Sequence, residues 1–142
     1  MRPSKLPSFL RPSIRSKYRV SPPAERQARG RTYASKAEKR YGDELYLQKI
    51  SGEIIEIIEQ PRFWLGVPEN VYIADFLVIT DQPHVVDVKG MWTAKFKRDI
   101  VLWREYARLP LHIVAWKNKR FETTNVVIPK HCSVEEGNPP TP

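Results

Sequence analysis

Apolar positions follow two rhythms along this chain, alternation and helical spacing, and their order predicts its elements. From Ser35 to about Ile50, the residues Ala37, Tyr41, Leu45 and Ile50 fall to one side of a helix that Ser35 opens and Ser51-Gly52 ends. Glu53 to Leu65 is rich in Ile, with aromatics after Pro61, and predicts a long first strand bent or bulged at Gln60-Pro61. Gly66 to Asn70 turns the chain into Val71–Ile79, and Thr80-Asp81-Gln82-Pro83 returns it as a third antiparallel strand. Beyond Gly90 a second helix, capped near Thr93 and reaching Arg108, turns Phe96, Ile100, Trp103 and Ala107 inward. Leu111–Trp116 reads as a buried strand for the same sheet, and Thr123 to Ile128 as a weaker one. The expected architecture is α/β, a mixed central sheet needing at least one helix on each face or a partner subunit.

Three charges interrupt this pattern. Asp75 stands inside Val71–Ile79, and Asp87-Val88-Lys89 closes the next apolar run, where an unpaired charge is costly. If the hairpin is centred on Asp81, paired residue numbers sum to 162, so Leu77 faces Val85 and Asp75 faces Asp87. Alternation then puts Asp87 and Lys89 on one face and Val86 and Val88 on the other. Two carboxylates this close repel, and a hard divalent cation resolves the conflict. Mg²⁺, or Mn²⁺ in its place, with Lys89 next to a phosphate, is the equipment for phosphodiester hydrolysis. The plainer alternative for the triplet is a cross-strand ion pair at a sheet edge.

Length and composition narrow the class. The 142 residues suit one domain, and no apolar run is long enough to cross a bilayer or serve as a secretory signal. A soluble, cytoplasmic protein is expected. Cys132 is the single cysteine, and His84, His112 and His131 lack ligand-like spacing, which argues against a zinc enzyme. Of the 24 basic residues, twelve fall within residues 1–40, against only Glu25 and Glu38. Residues 1–32, broken by five prolines, read as a flexible basic arm, 33–128 as the folded domain and 129–142 as a disordered tail. The arm is either a solubilising tail or a contact for nucleic-acid phosphates. Arg29, Arg31, Lys36 and Arg40, with Lys95, Lys97 and Arg98 on the second helix, are the candidates for holding a DNA backbone.

Glu38 admits two readings. In Ser35-Lys36-Ala37-Glu38 it completes a capping box by reaching back to the Ser35 amide, or it faces the sheet as a third carboxylate. Glu44 and Asp43 are the other acids of that helix. Trp103 and Trp116 fit core positions, and Trp64 a structural one. Trp92, just beyond Lys89-Gly90, either packs or touches a base or a dimer mate.

Ser35-Lys36-Ala37-Glu38 with Tyr41, Glu59-Gln60-Pro61, Tyr72-Ile73-Ala74-Asp75-Phe76 and Val86-Asp87-Val88-Lys89-Gly90 together resemble the PD-(D/E)XK nuclease superfamily. More narrowly they are similar to small phage-encoded nucleases that include Holliday junction resolvases. The resemblance covers about residues 33–116 and departs from the pattern at Ala74, where the signature has proline. It implies a restriction-endonuclease-like αβββαβ core. It also implies catalytic Glu38, Asp75, Asp87 and Lys89, and metal ligation by Asp75, Asp87, the Val88 carbonyl and Glu38. The expected activity is metal-dependent cleavage of branched double-stranded DNA by a twofold homodimer, in the host cytoplasm if phage-encoded. Nicking or restriction of ordinary duplex, and a non-catalytic DNA-binding module, are the competing functions.

Overall fold

The computed structural model describes residues 20–132. Among these residues two α-helices and nine strands follow one another: β1 (Gln27–Ala28), β2 (Arg31–Thr32), α1 (Lys36–Ser51), β3 (Glu56–Glu59), β4 (Arg62–Trp64), β5 (Val71–Ile73), β6 (Phe76–Ile79), β7 (His84–Val88), α2 (Ala94–Tyr106), β8 (Leu111–Lys117) and β9 (Arg120–Val127). The central sheet runs β3-β6-β7-β8-β9, parallel only between β7 and β8. That parallel pair requires a crossover, which α2 supplies.

The expected hairpin register holds. Phe76 pairs with Val86, Leu77 with Val85 and Val78 with His84, each summing to 162. The long strands on either side of the turn are each broken once. Gln60 takes a positive φ of 49° and Pro61 follows, so β3 and β4 are separate, and Asp75 interrupts the partner between β5 and β6. The Gln60 amide donates to the Asp75 carbonyl and the Ala74 amide to the Pro61 carbonyl, so pairing continues through the bend into the β4–β5 ribbon. The bend is what frees the Asp75 side chain from the regular ladder.

Each face of the sheet carries a helix and a core. Leu45 of α1, with Tyr33 and Ile54, packs on Ile57, Phe76, Val78, Val86 and Val114, while Phe96, Ile100 and Trp103 of α2 pack on Tyr72, Val85, Leu111 and Ile113. Each fully buried side chain of this kind contributes about 1.5–3 kcal/mol. Ser35 caps α1 by accepting from the Glu38 amide, Thr93 caps α2 from the Phe96 amide, and Gly52 ends α1 at φ 89°.

Four expectations need correcting. Residues 23–32 are not a loose arm: a 3-10 turn and the β1–β2 hairpin lead into the buried Tyr33, and Arg29 lies between the Tyr33 hydroxyl, Asp43 and the Tyr46 ring. The remainder of the arm, residues 1–19, lies outside the described residues, as do residues 133–142. Residues 129–132 are ordered, with Pro129 buried, a 3-10 turn at Lys130–Cys132, and Lys130 paired to Glu105. Ile50 is 83% exposed, because the buried stripe of α1 is Glu38, Gly42 and Leu45, and five residues past Leu45 lies off that line. Trp116 is 40% exposed, since it sits beyond Val114, the last residue of β8 that β7 covers. Among the described residues, no helix is long and apolar enough to cross a membrane.

Candidate active site

β6 begins where β7 ends: their ladder closes at the Phe76↔Val86 pair, which leaves positions 75 and 87 just beyond it at one end of the sheet. Asp75 turns its carboxylate onto that end, where Oδ2 accepts from the Val88 amide at 2.7 Å. Asp87 is 1% exposed and lies on the α2 face. Its Oδ2 accepts from the Tyr72 hydroxyl, and its buried Oδ1 has no hydrogen-bond partner. Lys89 Nζ lies 3.4 Å from that oxygen, an ion-pair contact from the same face two residues on. The ammonium also stands over the Phe96 ring at 5.0 Å.

Glu38 reaches the same place from the first turn of α1. It is 3% exposed, accepts from the Ala34 amide at 3.1 Å, and feels the charges of both Asp75 and Asp87. Its two readings are therefore compatible, with the 3.1 Å bond made to the Ala34 amide and the expected Ser35 amide contributing beside it. Asp43 is occupied by Arg29 and Lys39, and Glu44 is exposed.

Crowding acids into a dry corner favours their neutral forms. Burial, then the charge of Asp75, pushes Glu38 up to about 7 despite the amides it accepts from. Burial pushes Asp87 up to about 6 against the pull of Lys89, with Asp99 adding to the rise. Asp75 is raised by burial too, opposed by the Val88 amide and Lys89. Among the described residues, no group of three or more His, Cys, Asp or Glu side chains is drawn together tightly enough to hold a metal ion unaided.

Beside Asp87 opens a cleft of about 270 Å³, lined by Val71, Tyr72 and Ile73 of β5, Lys89, the α2 cap Thr93, and Lys95, Phe96 and Asp99 of α2. Residues 15–122, spanning α1, the carboxylate cluster and the cleft, match a family described as a protein of unknown function, DUF1064. The chain belongs to the DUF1064 family. Comparison with curated proteins gives no match, and comparison with solved structures gives none. The matched span contains Glu38, Tyr72, Asp75, Asp87, Lys89 and Asp99 of this chain.

The basic candidates in this DUF1064 protein divide. Arg29 is exposed but engaged by Asp43 and Tyr33, Arg31 pairs with Glu59 at 3.2 Å, Lys36 with Glu25 at 3.7 Å, and Arg40 lies over the Trp116 ring. Lys95 pairs with Asp99 at the cleft. Lys97 and Arg98 are exposed on the first turns of α2, with no ion pair among the described residues. Sequence reasoning missed Tyr72 and Asp99, both in contact with or close to Asp87. A tyrosine in an apolar strand reads as packing, and an acid four residues after a lysine reads as a helix-surface pair.

Proposed function

We propose that the protein is a divalent-metal-dependent, structure-selective DNA endonuclease that cleaves branched DNA, in the manner of a Holliday junction resolvase. The observation that carries the reading is Asp87: a fully buried carboxylate with one oxygen left without a hydrogen bond, an ammonium beside it, and two more acids at the same end of the sheet. The plainer ion-pair reading accounts for the contact of Asp87 Oδ1 with Lys89, but not for Asp75 and Glu38 buried at the same end of the sheet.

The donor set fits a hard cation. Mg²⁺, or Mn²⁺, would be held by Asp75 and Asp87, with the Val88 carbonyl and Glu38 completing the site directly or through water. When bound it supplies an acidified water and charge stabilisation at the leaving oxygen. Mg²⁺ keeps several waters and takes its other partners from substrate phosphate, so it needs no closed three-carboxylate cage. Tyr72 fixes the rotamer of Asp87 through its hydroxyl, and Lys89 presents its charge to a phosphate brought to that carboxylate. Glu38, with its pKa about 7, is poised to hold or release a proton at a water on the α1 side. Lys97 and Arg98, outside the cleft, suit the flanking backbone.

Symmetric cutting of a four-way junction calls for two such sites, hence a twofold homodimer. The open cage also favours a second reading, a DNA-binding module without catalysis. One assay separates the readings: junction, flap and linear duplex of matched sequence are incubated with Mg²⁺, Mn²⁺ or EDTA, beside the Asp87→Asn variant. Junction cleavage by the wild type alone, only with metal, supports the proposal. Equal cutting of all three DNAs removes the junction claim, and binding without cleavage in every metal leaves the module. Light scattering across a chromatographic peak tests the dimer.

A further inference from the structure

The β8–β9 hairpin outruns the sheet it belongs to. Its last partner on β7 is reached at Val114, yet Ala115, Trp116 and Lys117 continue, paired to Glu122, Phe121 and Arg120. Three extra residues carry the tip roughly 10 Å past the end of β7, the same end that bears Asp87 and Lys89. Alternation sorts the tip into two faces. Trp116 and Phe121 share one, edge to face at 4.8 Å, with the Arg40 guanidinium over Trp116 at 5.2 Å. Lys117 and Arg120 share the other, both exposed, with Arg120 paired to Glu122 at 3.1 Å.

The turn adds an independent sign. Asn118 and Lys119 both take positive φ, 52° and 61°, as a two-residue hairpin turn demands. Asparagine tolerates this, but the second position favours glycine, and a lysine there is strained. The strained Lys119 and the 40% exposed Trp116 thus lie together on one projecting tip.

We infer that the β8–β9 tip is a second DNA-contact site, in which Lys117, Lys119 and Arg120 engage phosphates while Trp116, braced by Arg40 and Phe121, stacks on an unpaired base at a branch or strand end. Aromatic stacking accepts any base, so the contact reads DNA shape and not sequence. The inference rests on the nuclease reading for its substrate and departs from it in residues, since no group of the tip belongs to the carboxylate cluster.

The test uses the full chain and two variants. Lys119→Gly removes one charge and relieves the strained turn, and Trp116→Ala removes the ring. Affinity is measured by fluorescence anisotropy in EDTA, over a salt series, for a four-way junction and a linear duplex, and cleavage is measured separately in Mg²⁺. Lys119→Gly is expected to melt no lower than the wild type while its dependence of log affinity on log salt is shallower by about one. Trp116→Ala is expected to bind the junction about tenfold more weakly and the duplex nearly unchanged. Variants with wild-type affinity, salt dependence and junction preference overturn the tip, even where the wild type cleaves. Loss of binding in the variants upholds the tip even where the wild type cleaves nothing, which is how failure of the nuclease reading would look. A wild type that binds neither DNA overturns it as well.

Discussion

Asp87 and Glu38 make proton uptake a stability issue. In the folded state their pKa values are about 6 and about 7, against ordinary values of 3.8 and 4.5, so between those limits the folded chain holds protons that the unfolded chain releases. Stability must then fall as pH rises through roughly 4 to 7, the reverse of a salt-bridged carboxylate. At about 1.4 kcal/mol per unit, each group costs on the order of 3 kcal/mol once ionised. The protein in EDTA should therefore melt higher at pH 5 than at pH 8, and added Mg²⁺ or Mn²⁺ should raise the melting temperature at pH 8 far more than at pH 5. Asp87→Asn, which lets Tyr72 keep its bond while removing the charge, should flatten the pH dependence, abolish most of the metal effect and match or exceed wild-type stability in EDTA at pH 8. A metal shift of wild-type size in that variant would remove Asp87 from the site. Asp75, Asp87 and Lys89 were legible in the sequence because a charge in an apolar run demands compensation. Tyr72 was not, because a phenol in such a run looks like packing until the acid opposite it is located.

Among the elements, the β6–β7 hairpin was readable to the residue, since a two-residue periodicity and a polar turn leave one register. The β1–β2 hairpin was not, because two-residue strands carry no periodicity and their composition is that of a charged arm. What orders that segment is tertiary: Arg29 bonds Asp43 at 2.5 Å and the Tyr33 hydroxyl at 2.8 Å, and its guanidinium lies 4.3 Å from the Tyr46 ring centre. Tyr33 and Arg31 in turn reach Glu59 at the end of β3, so the hairpin is tied to both α1 and the sheet. Arg29→Ala should accordingly lower the unfolding free energy by about 1–2 kcal/mol, read from urea denaturation, with little change in the salt dependence of DNA binding. Lys97→Ala with Arg98→Ala on the exposed turns of α2 should do the opposite, sparing stability while making that salt dependence shallower by about two. Equal behaviour of the two variants would show that the division between structural and DNA-facing cations is drawn in the wrong place.

At the scale of the whole molecule, charge and fold are separable. Helix–strand order gave the α/β class and a helix on each face, but not the strand order, because nothing local distinguishes a β8 that joins β7 in parallel from one at the opposite edge. Nor does sequence show that β8 and β9 outlast β7, which follows from where pairing stops. The carboxylate cluster, the exposed cations of α2 and the β8–β9 tip lie toward one end of the sheet, while residues 1–19 bring six further Lys and Arg and no acid. Each phosphate neutralised by such a cation contributes to affinity by releasing counterions, a contribution that salt erases and that no base sequence modulates. Removing residues 1–19 should therefore weaken binding to junction and duplex by similar factors, reduce the salt dependence by several units, and leave the junction-to-duplex affinity ratio within about twofold of the full chain. Titrations of both DNAs at two salt concentrations decide it. A truncated protein that binds the two as before, with an unchanged salt dependence, would assign the DNA charge wholly to the folded domain. One that loses its preference for the junction would move branch recognition out of the β8–β9 tip and into the N-terminal segment.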